Sequence, residues 1–246
     1  MPDPWNVICS RVTNSVELVV ALLNYQPHII STTLSVVPVP SNKTSRPIAK
    51  DPSIQSLNDE ALDLRSKYNV PYWMAVLLTA QRREVPLPPQ VIAASAFHQP
   101  MTEANTEEVE ASAITADYLT QRSSELPSRH ILTISSRVTL RNLTVAHIPM
   151  LDFRISPSPE ALATVTAVLQ ELNITGVVLD SGQSYHFYGA SLLSAESLPI
   201  FLGRALLFTP IVDYRWIAHQ LIEGACALRI SPGIDKQQVP RIVARV

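Results

Sequence analysis

Twenty prolines against six glycines constrain this 246-residue chain more than any other feature. Proline holds φ at about −65°, lacks an amide proton and drives the preceding residue out of the helical region, so elements must be short and bounded by stiff loops. The same ratio counts against flexible glycine linkers and against the glycine-rich loops that cradle phosphates in many nucleotide-binding folds. With 46% hydrophobic and 16% charged residues the chain is globular, and it is long enough to bury a core without disulfide or metal staples.

Cysteine usage and charge narrow the function classes. Cys9 and Cys226 are the only cysteines, and their separation excludes a C-x-x-C pair from which a zinc knuckle or redox motif could be built. The opening Met-Pro-Asp-Pro-Trp-Asn has no basic n-region, and the apolar stretch at 16–23 is short and carries Glu17. No signal peptide or membrane span is expected, and the protein is placed in the cytoplasm. A net charge of −2 argues against binding a polyanion by bulk charge. Position is more informative: residues 1–128 hold 9 basic and 13 acidic side chains, whereas 129–246 hold 10 basic and 8 acidic, so the C-terminal half is the anion-handling half.

The pattern of apolar residues divides the chain at the same point. Residues 1–126 read as a helix-rich N-terminal region, with helices expected over 16–24, 56–67 and 72–83 and proline loops at 38–52 and 86–89. The acidic stretch 102–122 reads as a surface helix entering a packed one. Residues 127–246 read as an α+β core. Short strands are expected over 131–135 and 138–140, with an Arg137-bearing turn between, then over 143–147 and 149–153. Ser158 and Pro159 open a helix with Leu162, Val165, Leu169 and Leu172 on one face. A strand at 177–179 leads into a second one on which Ser184, His186 and Tyr188 share a face. A helix from Asp213 stops at Gly224, before a final strand through Arg229.

Three segments in this half place polar chemistry where a scaffold would put apolar side chains. Asp152 ends an apolar strand in Leu151-Asp152-Phe153-Arg154. Ser184 and His186 lie in Ser181-Gly182-Gln183-Ser184-Tyr185-His186. Asp213 opens a helix, and Arg229 lies on the strand after it. Converging, they would make a cleft with carboxylates for a divalent ion and donors for a triphosphate.

This order of motifs resembles the archaeo-eukaryotic primase (primase-polymerase) superfamily, from about Arg129 onward. The resemblance implies a primase-like core of mostly antiparallel strands with flanking helices. It implies that Asp152 and Asp213 are catalytic carboxylates holding Mg²⁺ or Mn²⁺, and that Ser184 and His186, with Arg229, meet the phosphates of an incoming nucleotide. The function implied is binding of a nucleoside triphosphate and DNA or RNA in replication or repair, with nucleotidyl transfer to a 3′-hydroxyl if the protein is active.

One position departs from the family pattern. The second acid of the first motif is replaced by Arg154, and a cation there opposes a pair of dications held about 3.5–4 Å apart. The resulting reading is a divergent member with a degenerate first metal motif and reduced or lost polymerase activity. A single metal, or a nucleotide clamped by arginine without metal, is easier to reconcile with Arg154. Two alternatives stay open: a non-catalytic interaction subunit docking on a protein partner such as a helicase or nuclease, and a metal-dependent phosphohydrolase or nuclease. Each site residue also has a purely structural explanation. Asp213 can cap its helix, Asp152 can bond its own turn, His186 can be a buried core histidine, and Arg154 and Arg229 can be ion-pair partners.

Overall fold

The structure is a computed structural model that describes residues 11–39, 52–96, 98, 105–234 and 236–246. Its contacts divide the chain into two compact units, Met1–Val39 with Pro100–Val246, and Pro40–Gln99. The chain enters through α1 (Ser15–Tyr25), capped by the Asn14 side chain on the amides of Val16 and Glu17, and continues into strand β1 (Ile29–Pro38).

The smaller unit follows. Helices α2 (Gln55–Tyr68), α3 (Tyr72–Arg82) and α4 (Pro89–Ser95) are separated by left-handed Asn69 and by proline turns. They close over a small core of Leu57, Ala61, Leu64, Ala75, Val76 and Val91. The Tyr72 hydroxyl donates to Asn58 Oδ1 at 2.6 Å, and Arg83 pairs with Glu60 at 2.6 Å. Helices α1, α2 and α3 fall within one residue of the expected bounds. Most of the loop expected over 38–52 lies outside the described residues.

In the larger unit the chain resumes with β2 (Thr106–Glu110) and a 3₁₀ turn before α5 (Ala116–Ser124), capped by Thr115. The expected helix over 102–122 is therefore partly a strand. β2 pairs antiparallel with β1 at the edge of a sheet, where outward carboxylates guard an exposed ladder against further pairing. β1 itself was not expected, and its β-branched residues pair antiparallel with β3 (His130–Leu140). β3 is a single strand where a turn at Arg137 was expected, but its register against β1 is irregular there: Thr32 pairs with Val138 and Leu34 with Ile134. Ser136 is held on both sides of the chain there: its amide donates to Cys226 O at 2.7 Å, and its carbonyl accepts from the Ile148 amide at 2.8 Å.

The remaining elements are β4 (Val145–His147), β5 (Met150–Asp152), α6 (Pro159–Glu171), β6 (Gly176–Asp180), β7 (Tyr185–Gly189), β8 (Leu193–Ser194), α7 (Ser197–Leu206), α8 (Tyr214–Glu223), β9 (Ala227–Arg229) and β10 (Arg241–Arg245). The first sheet has the order β2-β1-β3-β4-β8, with β9 also paired to β3; the second has the order β10-β6-β7-β5. All the strand pairs are antiparallel, and with the helices they make an α+β fold. α6 starts as its sequence dictates, with Ser158 as cap and Pro159 in the first turn, and buries Val165, Val168 and Leu169. The Tyr185 hydroxyl ties β7 to this helix start, donating to Ser158 O and accepting from Ser158 N, both at 3.0 Å. Met150, Leu151, Phe153, Phe187 and Tyr188 are fully buried at the centre of the unit. Among the described residues, no helix is long and apolar enough to cross a membrane.

Candidate nucleotide-binding site

Register builds the site. In the β5–β7 pair Asp152 stands directly opposite His186, with Leu151 opposite Phe187 and Met150 opposite Tyr188. Residues directly opposite in an antiparallel pair project from the same face, so the carboxylate and the imidazole meet. His186 Nε2 lies 3.7 Å from Asp152 Oδ1. Between β6 and β7 the chain reverses through Gly182 and Gln183, and Gly182 takes φ +95°, which a side chain would strain. The turn is stapled by the Gly182 amide on Asp180 Oδ1 at 2.6 Å and the Ser181 amide on Ser184 O at 2.9 Å. This delivers Ser184 to the mouth of β7, where its hydroxyl donates to Asp152 Oδ1 at 3.4 Å.

Asp213 reaches the same place by continuing the sheet edge. Phe153 bridges Val212, and the Asp213 amide donates to Asp152 O at 2.9 Å. Its Oδ1 caps α8 by accepting from the amides of Arg215 and Trp216, each at 3.0 Å. Its Oδ2 lies 3.5 Å from Arg154. Capping and membership of the charged cluster thus coexist in one side chain. The structure therefore brings Asp152, Ser184, His186 and Asp213 together, with Arg154 joined to the group.

Arg229 lies beneath this group in a different role. It is only 7% exposed, and its terminal nitrogens donate to the backbone carbonyls of Ser231, Gln238 (3.0 Å) and Ser181 (2.9 Å). Its hydrogen bonds brace the turn that carries Ser184 against the loop after β9.

A residue that sequence reasoning missed is Lys236. Gly233 and Lys236 exchange backbone hydrogen bonds of 2.8 and 3.1 Å in a tight turn, which carries the lysine Nζ to 3.2 Å from Ser181 Oγ. The Pro232-Gly233 pair just after the last motif was the available signal, since such a pair reverses the chain toward what precedes it.

The electrostatics are those of a strained polar cluster. Burial, then the neighbouring Asp213, push Asp152 up to about 7, against the opposing influence of Lys236, Ser184 and Arg154. Burial, then the charges of Lys236 and Arg229, hold His186 well below the ordinary histidine range, so at neutral pH it is a neutral imidazole. Its Nδ1 and the Tyr188 hydroxyl are buried without a hydrogen-bond partner.

A family model described as archaeo-eukaryotic primase 1D-like matches residues 110–242, more than half of the chain and the whole of this cluster. The chain belongs to the archaeo-eukaryotic primase superfamily. No curated protein and no solved structure matches it. The matched segment runs from the last residue of β2 into β10, so it takes in β3 to β9 and every residue of the cluster, while β1 lies before it.

The superfamily implies divalent metal, and the donor set among the described residues does not fit a two-metal centre. Both oxygens of Asp213 are engaged, one by two amides and one by Arg154. Among the described residues, the charges acting on Asp152 are one carboxylate and two cations, so that part of the cluster carries no net negative charge to draw a dication. Among the described residues, no group of three His, Cys, Asp or Glu side chains could hold a metal ion.

Proposed function

We propose that this primase-superfamily protein binds a nucleoside triphosphate, or the end of a DNA or RNA strand, and that primer synthesis is reduced or lost. The observation that carries the reading is the replacement of the first motif's second acid by Arg154, which pairs with Asp213 at 3.5 Å. The Ser184–His186 motif remains facing Asp152. The nucleotide-contacting half of the motif set is retained and the metal-holding half is compromised. Arg229 serves this site by holding the Ser184 turn. A protein partner such as a helicase or nuclease would supply the processing step.

Templated and untemplated nucleotide incorporation in Mn²⁺ tests the catalytic half. The natural protein should make no or very little product, and Arg154→Asp should show whether a second acid raises it. Robust synthesis by the natural protein that disappears in Asp152→Ala would overturn the proposal. Calorimetric titration tests the binding half: triphosphate should bind, and His186→Ala should weaken it by about tenfold or more, as expected for one lost hydrogen bond to a charged group. A natural protein with no affinity for triphosphate would instead favour a docking subunit.

A further inference from the structure

A concavity lies at the β1–β2 edge of the first sheet, on elements that carry none of the Asp152 cluster. It has a volume of about 620 Å³ and is lined by Ile29 and Ile30 of β1, Glu108 and Glu110 of β2, Ser112 of the 3₁₀ turn and Arg141 after β3. Sites for small molecules usually measure about 300–1,000 Å³. We infer that it binds a basic amino acid or the chain end that carries one: the α-carboxylate on Arg141, the aliphatic stem along Ile29 and Ile30, and the side-chain cation on Glu108 and Glu110.

Arg141 is fixed by the protein itself. It opens the turn between β3 and β4, where its amide donates to His28 O at 2.8 Å and its Nε to Pro27 O at 2.9 Å. The turn is closed by the Leu143 amide on Leu140 O at 2.8 Å and by Asn142 Oδ1, which accepts from the amide and the hydroxyl of Thr144. The guanidinium is thus held in place by its Nε, while its two terminal nitrogens make no hydrogen bond or ion pair among the described residues. Those two nitrogens form the planar fork that matches a carboxylate, and a fork already oriented loses little entropy on binding one.

The opposite wall is acidic and equally prepared. Ser31 stands opposite Glu110 in the β1–β2 pair, so Glu108 and Glu110, two apart on β2, lie on the face that carries Ser31. The Ser31 hydroxyl donates to Glu108 Oε1 at 2.5 Å, which aims that carboxylate and leaves Oε2 to accept. Glu110 and Ser112 make no hydrogen bond or ion pair among the described residues. An arginine and two glutamates therefore line one concavity without closing an ion pair across it. A ligand that carries both charges satisfies both walls, whereas the glutamates repel a polyanion and a polyamine leaves Arg141 unmet. Buried Ile29 and half-buried Ile30 supply the apolar surface for the stem between the charges.

The test is NMR titration of the full chain with L-arginine and with the tripeptide Gly-Gly-Arg. The tighter of the two should bind with a dissociation constant of about 1 mM or below and should move the amide resonances of Ser112 and Arg141. If the tripeptide is tighter, the ligand is a chain end; if L-arginine is, it is the free amino acid. Agmatine, which lacks the carboxylate, and L-norvaline, which lacks the guanidinium, should each bind about tenfold more weakly than L-arginine, as for one lost hydrogen-bonded charge. Glu110→Gln and Arg141→Gln should weaken binding to the same extent. Circular dichroism identifies a variant that fails to fold, and Glu110→Gln, at an exposed side chain, then carries the mutational test alone. Absence of binding by both L-arginine and the tripeptide, or agmatine as tight as L-arginine, or affinity unchanged in Glu110→Gln, would overturn the inference.

Discussion

Two histidines of the larger unit, His147 and His186, are almost equally buried, at 3% and 4% exposure. Their surroundings differ in one respect. His147 Nδ1 lies 3.0 Å from Ser136 Oγ, and that oxygen also accepts the Cys226 amide at 2.8 Å, tying β3, β4 and the start of β9 together. His186 faces a carboxylate at 3.7 Å and keeps an unpartnered nitrogen. The first is a closed polar network, which adds rigidity; the second is an open one, which carries the cost of an unpaired buried polar atom. Cys226 fits the closed network: burial pushes its thiol up to about 12, so it is a packing group and not a nucleophile. Burial alone therefore does not separate a structural histidine from a site histidine, whereas the accounting of its partners does.

If that contrast is right, removing charge from the open cluster should stabilise the protein. Asp152 titrates at about 7 in the fold against about 3.9 in an unfolded chain. The folded state thus favours the protonated acid, and the penalty grows as pH rises from the unfolded value and is complete above the folded one. Asp152→Asn should raise stability at pH 8 by an amount on the order of a few kcal/mol, and by almost nothing near pH 4. Thermal melts at both pH values check it. An unchanged or lowered melting temperature at pH 8 would remove the distinction drawn between the two clusters.

The closed network should respond in the opposite direction. Ser136→Ala leaves the Cys226 amide and His147 Nδ1 without their shared partner, and an orphaned buried polar group costs about 1–3 kcal/mol. For a domain of this size each kcal/mol lowers the melting temperature by about 2–4 °C. Triphosphate affinity, measured on the same sample below its melting temperature, should not change. A loss of affinity without a loss of stability would show that the two clusters are coupled.

How much of this was legible beforehand follows from how local each determinant is. The cap at Ser158, the αL stop at Gly224 and the shared face of Ser184 and His186 are set by neighbours in sequence, and the structure has them where patterning placed them. The acidic strand β2 was read as helix because glutamate is a good helix former, while its pairing with β1 depends on a segment 70 or more residues away. β1 itself went unread although it is rich in β-branched residues. Among the site residues, the role of Arg229 was hidden because its partners are backbone carbonyls at 181, 231 and 238, which no side-chain pattern encodes. Lys236 was hidden because a turn, not a periodic element, delivers it. The alignment of Asp213 with Asp152 needed the Phe153–Val212 bridge, a contact that motif order suggests and spacing cannot specify.

Asp213 offers the finest test, because it belongs to both kinds of environment at once. Its Oδ1 is satisfied by two helix amides, and its Oδ2 faces Arg154 at 3.5 Å with both side chains partly exposed. Asparagine caps helices about as well as aspartate but cannot form the ion pair, whereas alanine does neither. Losing an N-cap costs typically about 1 kcal/mol, and a partly exposed ion pair contributes about 0–1 kcal/mol. Asp213→Ala should therefore lower stability by about 1 kcal/mol and Asp213→Asn by less, a difference readable in paired denaturant melts. Triphosphate affinity in EDTA should move the other way, since either change removes a carboxylate that competes with phosphate for Arg154. If asparagine destabilises as much as alanine, the ion pair and not the cap holds this corner together, and Arg154 is then a structural partner with little positive charge to offer a ligand.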